Sequence, residues 1–119
     1  MSLLIVEKGT GTAYLRTLPE GAAVDFIGPL GNSFPGLPGR RVLAIGGGVG
    51  LAPLYLYGSA LAAPERGGYR LLYGARTRED LFVDKFAWKF DDVGFATDDG
   101  SHGFAGSVVD LAAREMSRS

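Results

Sequence analysis

The feature that most constrains this chain is residues 40–53, RRVLAIGGGVGLAP, where a short apolar run, Val42 to Gly46, leads into a glycine-rich turn. An apolar run this short, bounded by glycine, is typical of a buried strand in a parallel sheet. Gly48, Gly50 and Pro53 give a G-x-G-x-x-P spacing, which lets backbone N–H groups face a pyrophosphate at the start of a helix. Glycine also closes strand-to-helix corners for packing reasons alone. The turn therefore predicts phosphate binding, with tight packing as the alternative.

Composition limits the class of protein. The 119 residues are 46% hydrophobic and 21% charged, which suits one compact core and not two. A net charge of -1 gives no electrostatic footprint for nucleic acid or for a membrane surface. The absence of cysteine excludes disulfides, thiol chemistry and a cysteine-ligated iron–sulfur cluster within these residues. With no apolar stretch near the ~20 residues of a membrane span and no leader pattern, we expect a cytoplasmic protein.

The chain divides into two unequal parts. Residues 3–6 (LLIV) and 23–28 (AVDFIG) have the pattern of short strands, and a polar turn and one helical turn separate them. Residues 31–39 are rich in glycine and proline and are typical of a connector. We therefore assign 1–34 to a terminal segment with its connector and 35–119 to a second domain.

The second domain alternates strands and helices, with crossovers long enough to force parallel pairing. The predicted strands are Val42 to Gly46, Tyr69 to Tyr73 and Val93 to Thr97. The predicted helices run from about Leu51 to Ala63, Glu79 to Phe90 and Val108 to Met116. Thr77 with Asp80, and Ser107 with Asp110, have capping-box spacing and mark the starts of the second and third helices. The pattern predicts an α/β fold, a three-layer Rossmann-like domain with a parallel sheet.

The segments after the three strands are the candidate site. In an open parallel sheet a ligand binds beyond the carboxyl ends of the strands, where the strand order reverses. The segments there are GGGVG, YGARTRED and TDDGSHG. Arg76 and Arg78 follow the second strand, where a fold that selects an unphosphorylated ribose usually places an acid. The two arginines favour contact with a phosphate or 2′-phosphate, with solvated surface residues as the alternative.

Other motifs favour structural roles when each is taken alone. Residues 8–12, KGTGT, could hold a phosphate on their amides but are typical of a hairpin loop. Asp98 and Asp99 precede Gly100 and Ser101, which favours a turn over a metal site. His102 is expected to be an exposed histidine and not a catalytic base, because no G-x-S-x-G elbow accompanies it. Aromatic residues at helical spacing are expected to form the core face of the second helix: Phe82, Phe86, Trp88 and Phe90.

Five segments together are more specific than any one of them. They are GTGT at 9–12, GPLGNSF at 28–34, GGGVGLAPLY at 46–55, YGAR at 73–76 and ATDDGSHGFAG at 96–106. In this order and spacing the chain resembles the ferredoxin–NADP reductase superfamily. Within it, the chain is most similar to the electron-transfer subunits of dihydroorotate dehydrogenase and their relatives in hydrogenase and sulfide-dehydrogenase complexes.

The resemblance implies a function and a set of site residues. It implies a flavin-binding β-barrel followed by a nicotinamide-nucleotide domain, with electrons passing from NAD(P)H through FAD to a [2Fe–2S] cluster and on to a partner catalytic subunit. The positions that match the FAD pyrophosphate turn are Gly9, Thr10, Gly11 and Thr12. Those that match the nucleotide turn are Gly47, Gly48, Gly50 and Pro53. Those that match the nucleotide rim are Arg76, Asp98, Asp99 and Ser101. No catalytic side chain and no metal ligand is implied within these residues.

The chain also lacks several motifs that are typical of the family. The arginine–aromatic–serine flavin motif, most of the barrel, the Cys-Gly-Pro strand and the cysteine-rich cluster site have no counterpart here. We therefore expect a fragment of an NAD(P)H:flavin oxidoreductase-type subunit that is inactive by itself, binds NAD(P)H weakly and holds no FAD. The strand at Val42 to Gly46 is expected to be an apolar sheet edge, covered by the N-terminal strand or by a second copy in a homodimer.

Two alternatives remain. One is a stand-alone nucleotide-binding or regulatory module without redox chemistry, although such a module has no evident need for both KGTGT and GPLGN. The other is a piece of a short-chain dehydrogenase, which the absence of a Tyr-x-x-x-Lys pair disfavours. The choice between NADH and NADPH stays open at this stage.

Overall fold

The structure, a computed structural model, describes residues 2–83 and 92–118. The chain divides into two compact units, Met1–Pro35 and Gly36–Ser119. This division lies one residue from the boundary predicted at 34/35.

The first unit contains one helix, α1, at Thr10–Thr17. The strands predicted at 3–6 and 23–28 are wrong, because the described residues of this unit form no β-strand. A strand is stable only when a neighbour pairs its backbone N–H and C=O groups, and the apolar pattern does not supply one. Several apolar side chains here are largely exposed; Ile27, for example, is 86% exposed.

The second unit contains a parallel sheet with strand order β1-β2-β3-β4. Its first three strands confirm the predictions: β1 at Val42–Gly47, β2 at Tyr69–Ala75 and β3 at Val93–Thr97. The fourth, β4, consists of Phe104–Ala105 only, and was not predicted because two residues give no periodic pattern. The strand order does not reverse within the described residues, so β1 is an edge strand of this part of the sheet.

The first helix of this unit, α2, is shorter than predicted. It spans Leu51–Ala60, and a separate short helix, α3, follows at Ala63–Arg66. The expected end at Ala63 was wrong because Pro64 lies in the first turn of α3 and does not follow the end of α2. Proline is tolerated there, since a first-turn N–H has no acceptor within the helix.

The other two predicted helices have different outcomes. The last, α4, is present at Val108–Arg118, and the Ser107 hydroxyl caps it by accepting from Asp110 N at 3.0 Å. The predicted helix from Glu79 to Phe90 begins as a 3₁₀ helix at Arg78–Leu81, and Phe82 follows in the left-handed region with φ 53°. A continuous α-helix from Glu79 is therefore not formed. The core positions predicted at Phe86, Trp88 and Phe90 lie outside the described residues.

The sheet lies between two helical layers, as predicted. The core on the α2 side consists of Ala44, Leu51, Tyr69, Leu71, Tyr73 and Leu81. The core on the α4 side consists of Leu72, Ala96, Leu111 and Ala112. Gly74 lets α4 approach β2, because a Cβ built on it would lie 2.6 Å from Val108 Cβ. Because the strands pair in parallel, their carboxyl ends form one edge of the sheet.

An ion-pair cluster fastens α4 to β2. The Arg70 guanidinium on β2 donates to Glu115 on α4, with Nε to Oε2 at 2.7 Å and a second bond from Nη2. The same guanidinium also pairs with Asp92. The Arg70 hydrogen bond holds the pKa of Glu115 below its ordinary value. Gly94 leaves room for this cluster, since a Cβ there would lie 3.1 Å from Arg70 Nη2.

Candidate functional site

The three long strands end side by side. The register pairs Gly47 with Gly74 and Ala75 with Thr97, so the segments that follow β1, β2 and β3 are neighbours. The structure thus brings together the segments GGGVG, YGARTRED and TDDGSHG at the carboxyl edge of the sheet, which we call the rim. The rim lies wholly within the second unit.

The glycine-rich turn after β1 is open to solvent. Gly48–Gly50 form a 3₁₀ helix that runs directly into α2, with Gly48 in the left-handed region at φ 55°. A Cβ built on Gly48 or Gly50 would meet no atom within 4 Å. Residues 47–50 and Pro53 are all exposed. Among the residues that the structure describes, no side chain lies within 4 Å of the Cβ positions of Gly48 and Gly50.

Packing explains one glycine of the motif but not the others. A Cβ on Gly46 would lie 2.9 Å from Leu54 Cδ1, so this position is small because α2 packs close to β1. Gly48 requires a positive φ, and Gly50 has neither a positive φ nor a neighbour that demands glycine. The turn runs directly into the N-terminus of α2, and a helix N-terminus favours an anion. Contacts with neighbouring described residues therefore do not account for glycine at position 50.

The second and third rim segments are hydrogen-bonded to each other. Asp98 N donates to Ala75 O at 3.1 Å, and Asp99 N donates to Arg76 O at 3.2 Å. Beyond them, Arg78 N donates to the Ser101 hydroxyl at 2.8 Å. These bonds extend the β2–β3 pairing past the ends of the strands and fix the two segments relative to each other.

Asp99 organises its own turn, as its sequence context predicted. Its Oδ1 accepts from Ser101 N at 3.0 Å and from Ser101 Oγ at 2.6 Å. These hydrogen bonds, that from the hydroxyl first, hold the pKa of Asp99 below its ordinary value. The carboxylate is ionised at neutral pH and lies at the rim beside the chain after β2.

Three features of the third segment differ from the prediction or were not predicted. The hydroxyl of the buried Thr97 donates to His102 O at 2.7 Å and accepts from His102 N at 3.0 Å, which closes the loop. His102 is half-buried, with its ring edge-on to Phe95 at 5.1 Å, so the expectation of an exposed histidine was wrong. Gly103 has φ 67°, and a Cβ there would lie 2.3 Å from Phe95 O. The glycine content of TDDGSHG was the only sequence signal for this tight loop.

The GTGT turn belongs to the first unit and is the start of a helix, so the expectation of a hairpin loop was wrong. Gly9 precedes α1, and Thr10, Gly11 and Thr12 form its first turn. Thr12 Oγ1 accepts from Lys8 N at 2.8 Å and from Gly9 N at 3.1 Å. No atom lies within 4 Å of a Cβ built on Gly9 or Gly11. The turn presents an exposed helix N-terminus, partly capped by its own hydroxyl.

The fold and the open glycine turn define a class, the Rossmann-like α/β domains with a parallel sheet. No protein-family model matches the chain. The chain is 37% identical over 115 residues to the electron transfer subunit of dihydroorotate dehydrogenase B (NAD(+)) from Bacillus caldolyticus, covering 92% of this chain and 44% of the relative. It is 38% identical over 113 residues to the same subunit from Geobacillus thermodenitrificans, covering 92% and 43%.

A solved structure agrees with these relatives. A chain of the NADH-dependent reduced ferredoxin–NADP oxidoreductase, from a study of flavin-based electron bifurcation, superposes with a TM-score of 0.76 at 34% identity. The match covers 94% of this chain and 41% of that one. The resemblance predicted from the motifs is confirmed: the chain is homologous to these electron transfer subunits over nearly all of its residues. It spans less than half the length of the relatives.

No helix in the described part of the chain is both long and apolar enough to cross a membrane.

Proposed function

We propose that this chain is the nicotinamide-nucleotide-binding part of an electron-transfer oxidoreductase subunit. In that subunit electrons pass from NAD(P)H to FAD and on, through an iron–sulfur cluster, to a partner dehydrogenase subunit. The homologous electron transfer subunits and the reductase fold support this role. The observation that carries it is the open turn at Gly48–Gly50, placed between a parallel strand and a helix N-terminus.

The proposed dinucleotide site uses the rim. Gly47, Gly48 and Gly50 let the backbone approach the pyrophosphate, and Pro53 keeps the first turn of α2 in helical geometry with no N–H to satisfy. The rim residues Arg76, Asp98, Asp99 and Ser101 line the side next to this turn. The segments that follow β2 and β3 are hydrogen-bonded to each other, which fixes the positions of their backbones at the rim.

The chemistry requires positioning more than proton transfer. When bound, a nicotinamide would supply a hydride and a flavin would accept it, so the protein's own contribution would be orientation and electrostatics. The one histidine of the chain is held by Thr97 and Phe95 and has no role in this proposal.

The 119 residues contain part of the proposed FAD site and none of the cysteine ligands of an iron–sulfur cluster. Gly9, Thr10, Gly11 and Thr12 would hold the FAD pyrophosphate at the N-terminus of α1, where exposed amides suit an anion. The residues contain no cysteine, so the ligands of a [2Fe–2S] cluster would come from elsewhere. We therefore propose that the 119-residue chain binds a dinucleotide weakly, retains no FAD and has no activity alone.

We also propose that the β1 edge pairs with a second copy of the chain. Leu43 and Ile45 on β1 are 37% and 42% exposed, and β1 has a neighbouring strand on one side only in the described sheet. The alternative occupant, an N-terminal strand, is not formed in the described residues. Sedimentation should show a dimer that Ile45→Lys disrupts; a monomer at high concentration contradicts this pairing.

Binding of ADP by calorimetry tests the dinucleotide site, since ADP carries the pyrophosphate without the nicotinamide. Gly50→Val should fold normally, because Gly50 has φ −62° and no atom lies within 4 Å of its Cβ position. Its side chain would occupy the space of the pyrophosphate, and we expect at least a tenfold loss of ADP affinity. Gly36→Val is the matched control, also with no atom within 4 Å. Failure of the unmodified chain to bind ADP, or equal binding by Gly50→Val, contradicts the proposal.

A further inference from the structure

The hydroxyl of Ser101 joins the loop after β3 to the segment after β2. Ser101 Oγ accepts from Arg78 N at 2.8 Å, and these two residues are 23 positions apart in the chain. The same oxygen lies 2.6 Å from Asp99 Oδ1, which also accepts from Ser101 N at 3.0 Å. We call this series of hydrogen bonds, from Asp99 through Ser101 to Arg78 N, the rim bridge.

The single hydroxyl proton of Ser101 sets the direction of the rim bridge. An ionised carboxylate can only accept, so Ser101 Oγ donates its proton to Asp99 Oδ1. A lone pair of the same oxygen then accepts from Arg78 N. The hydroxyl therefore has no proton left to donate to a ligand. Asp99 in turn reaches Arg78 N by way of Ser101.

The rim bridge caps a short helix from outside that helix. Arg78 is the first residue of the 3₁₀ helix that ends at Leu81, and the first N–H groups of a helix have no acceptor within it. Thr77, which precedes the helix, provides no side-chain cap, because its hydroxyl donates to Asp80 Oδ2 at 3.3 Å. Leu81 holds the other end through its fully buried side chain. Ser101 thus fixes the end of the helix that lies at the rim.

The loop after β3 uses its own N–H groups internally. All five backbone N–H groups of residues 98–102 donate to acceptors within the protein: those of Asp98, Asp99, Gly100, Ser101 and His102. A phosphate is bound by hydrogen-bond donors, whereas this loop presents the carboxylates of Asp98 and Asp99. The loop is therefore suited to hold the shape of the rim and not to bind a phosphate.

We propose that Asp99 and Ser101 are positioning residues of the dinucleotide site, which hold the segment after β2 in place without contacting the dinucleotide. The inference rests on the proposed dinucleotide function and assigns these two residues a role within it. Because β2 lies between β1 and β3, the segment that follows it borders the glycine-rich turn. Loss of the rim bridge should leave the fold intact and weaken binding at that turn.

Amide hydrogen exchange of the chain without ligand tests the rim bridge itself. Ser101→Ala leaves Arg78 N without this acceptor, and its exchange should quicken about tenfold. Ser101→Thr keeps the hydroxyl and should restore the protection. The matched control is Ser117→Ala, which removes another exposed serine hydroxyl, bonded to Arg114 O in α4, and should leave the exchange of Arg78 unchanged. Unchanged exchange of Arg78 in Ser101→Ala overturns the inference.

Calorimetry with ADP tests the positioning role. Ser101→Ala and Asp99→Ala should each weaken ADP binding by about 3- to 10-fold, as expected for one lost hydrogen bond, with little change in Tm. The double variant should lose no more than either single variant, because both remove the same bridge. Asp99→Asn removes the same charge as Asp99→Ala but keeps an oxygen acceptor. It should retain most of the affinity, which separates the bridge from an effect of net charge.

The possible failures have different meanings. Losses that add in the double variant would show that Asp99 or Ser101 contacts the ligand directly, which overturns the inference. Unchanged ADP affinity in Ser101→Ala, together with faster exchange of Arg78, overturns it as well. Absence of ADP binding by the unmodified chain instead rejects the proposed function, whereas the exchange of Arg78 still decides whether the rim bridge holds the segment after β2.

Discussion

The contact between Gly74 and Val108 predicts that one added methyl group will loosen the attachment of α4 to the sheet. In Gly74→Ala the new Cβ would lie 2.6 Å from Val108 Cβ, 3.1 Å from its Cγ1 and 3.4 Å from its backbone N. The closest of these atoms, Val108 Cβ, is bonded directly to the backbone of α4, so relief requires that α4 move away from β2. Overpacking of this kind costs about 1–3 kcal/mol.

A change in the conformational entropy of the unfolded state offsets part of this destabilisation. Replacing glycine by alanine restricts the unfolded state and recovers about 0.4–1 kcal/mol. The net loss should therefore be about 0–2.6 kcal/mol, or about 1.3 kcal/mol at the middle of the two ranges. A loss of 1 kcal/mol lowers the Tm of a domain this size by roughly 4–8 °C. Urea and thermal unfolding followed by circular dichroism measure both quantities.

Gly46→Ala is the matched comparison. Its Cβ would lie 2.9 Å from Leu54 Cδ1, the far end of a flexible side chain that can rotate away. We expect Gly46→Ala to cost clearly less than Gly74→Ala, and the double variant Gly74→Ala/Val108→Ala to recover part of the loss. Equal costs for the two single variants would refute the assignment of Gly74 to helix packing.

Two further predictions concern α4. Because the pKa of Glu115 is lowered, its ion pair with Arg70 stabilises the fold at pH values above the ordinary pKa of Glu, and this contribution is lost as the pH falls through the folded-state pKa. Glu115→Gln should therefore lower stability at pH 7 by about 1 kcal/mol and flatten the acid limb of a Tm-against-pH curve. An unchanged acid limb would show that the pair contributes nothing. Ser107→Ala removes the hydroxyl that accepts from Asp110 N and should cost about 1 kcal/mol in urea unfolding, whereas the exposed Ser117→Ala should change little; equal losses would contradict a capping role.

The three long strands of the sheet could be predicted because each has a recognisable local sequence pattern. Val42–Gly47, Tyr69–Ala75 and Val93–Thr97 are short apolar runs between glycine-rich turns, a pattern that buried parallel strands produce. The same reasoning failed at 3–6 and 23–28, because an apolar run or an alternating pattern forms a strand only if a partner strand is present.

The rim was predicted in outline and not in detail. Parallel pairing places the strand ends together, so the three segments followed from the strand assignments alone. The internal bonds of the TDDGSHG loop could not be read from the chain, since they depend on Thr97 being buried beneath it and on Gly103 approaching Phe95 O. The predicted end of α2 at Ala63 was wrong for a similar reason. Proline can follow the end of one helix or lie in the first turn of the next, and Pro64 lies in the first turn of α3.

The most direct test of the account is to observe the backbone amides of the turn during titration with a dinucleotide. A ¹⁵N-labelled sample titrated with NADH and NADPH should show saturable shifts of the Gly47, Gly48 and Gly50 amides, with those of residues in α4 unchanged. Amide signals of the turn that stay fixed at saturating dinucleotide, or shifts confined to other parts of the chain, would contradict the proposed site.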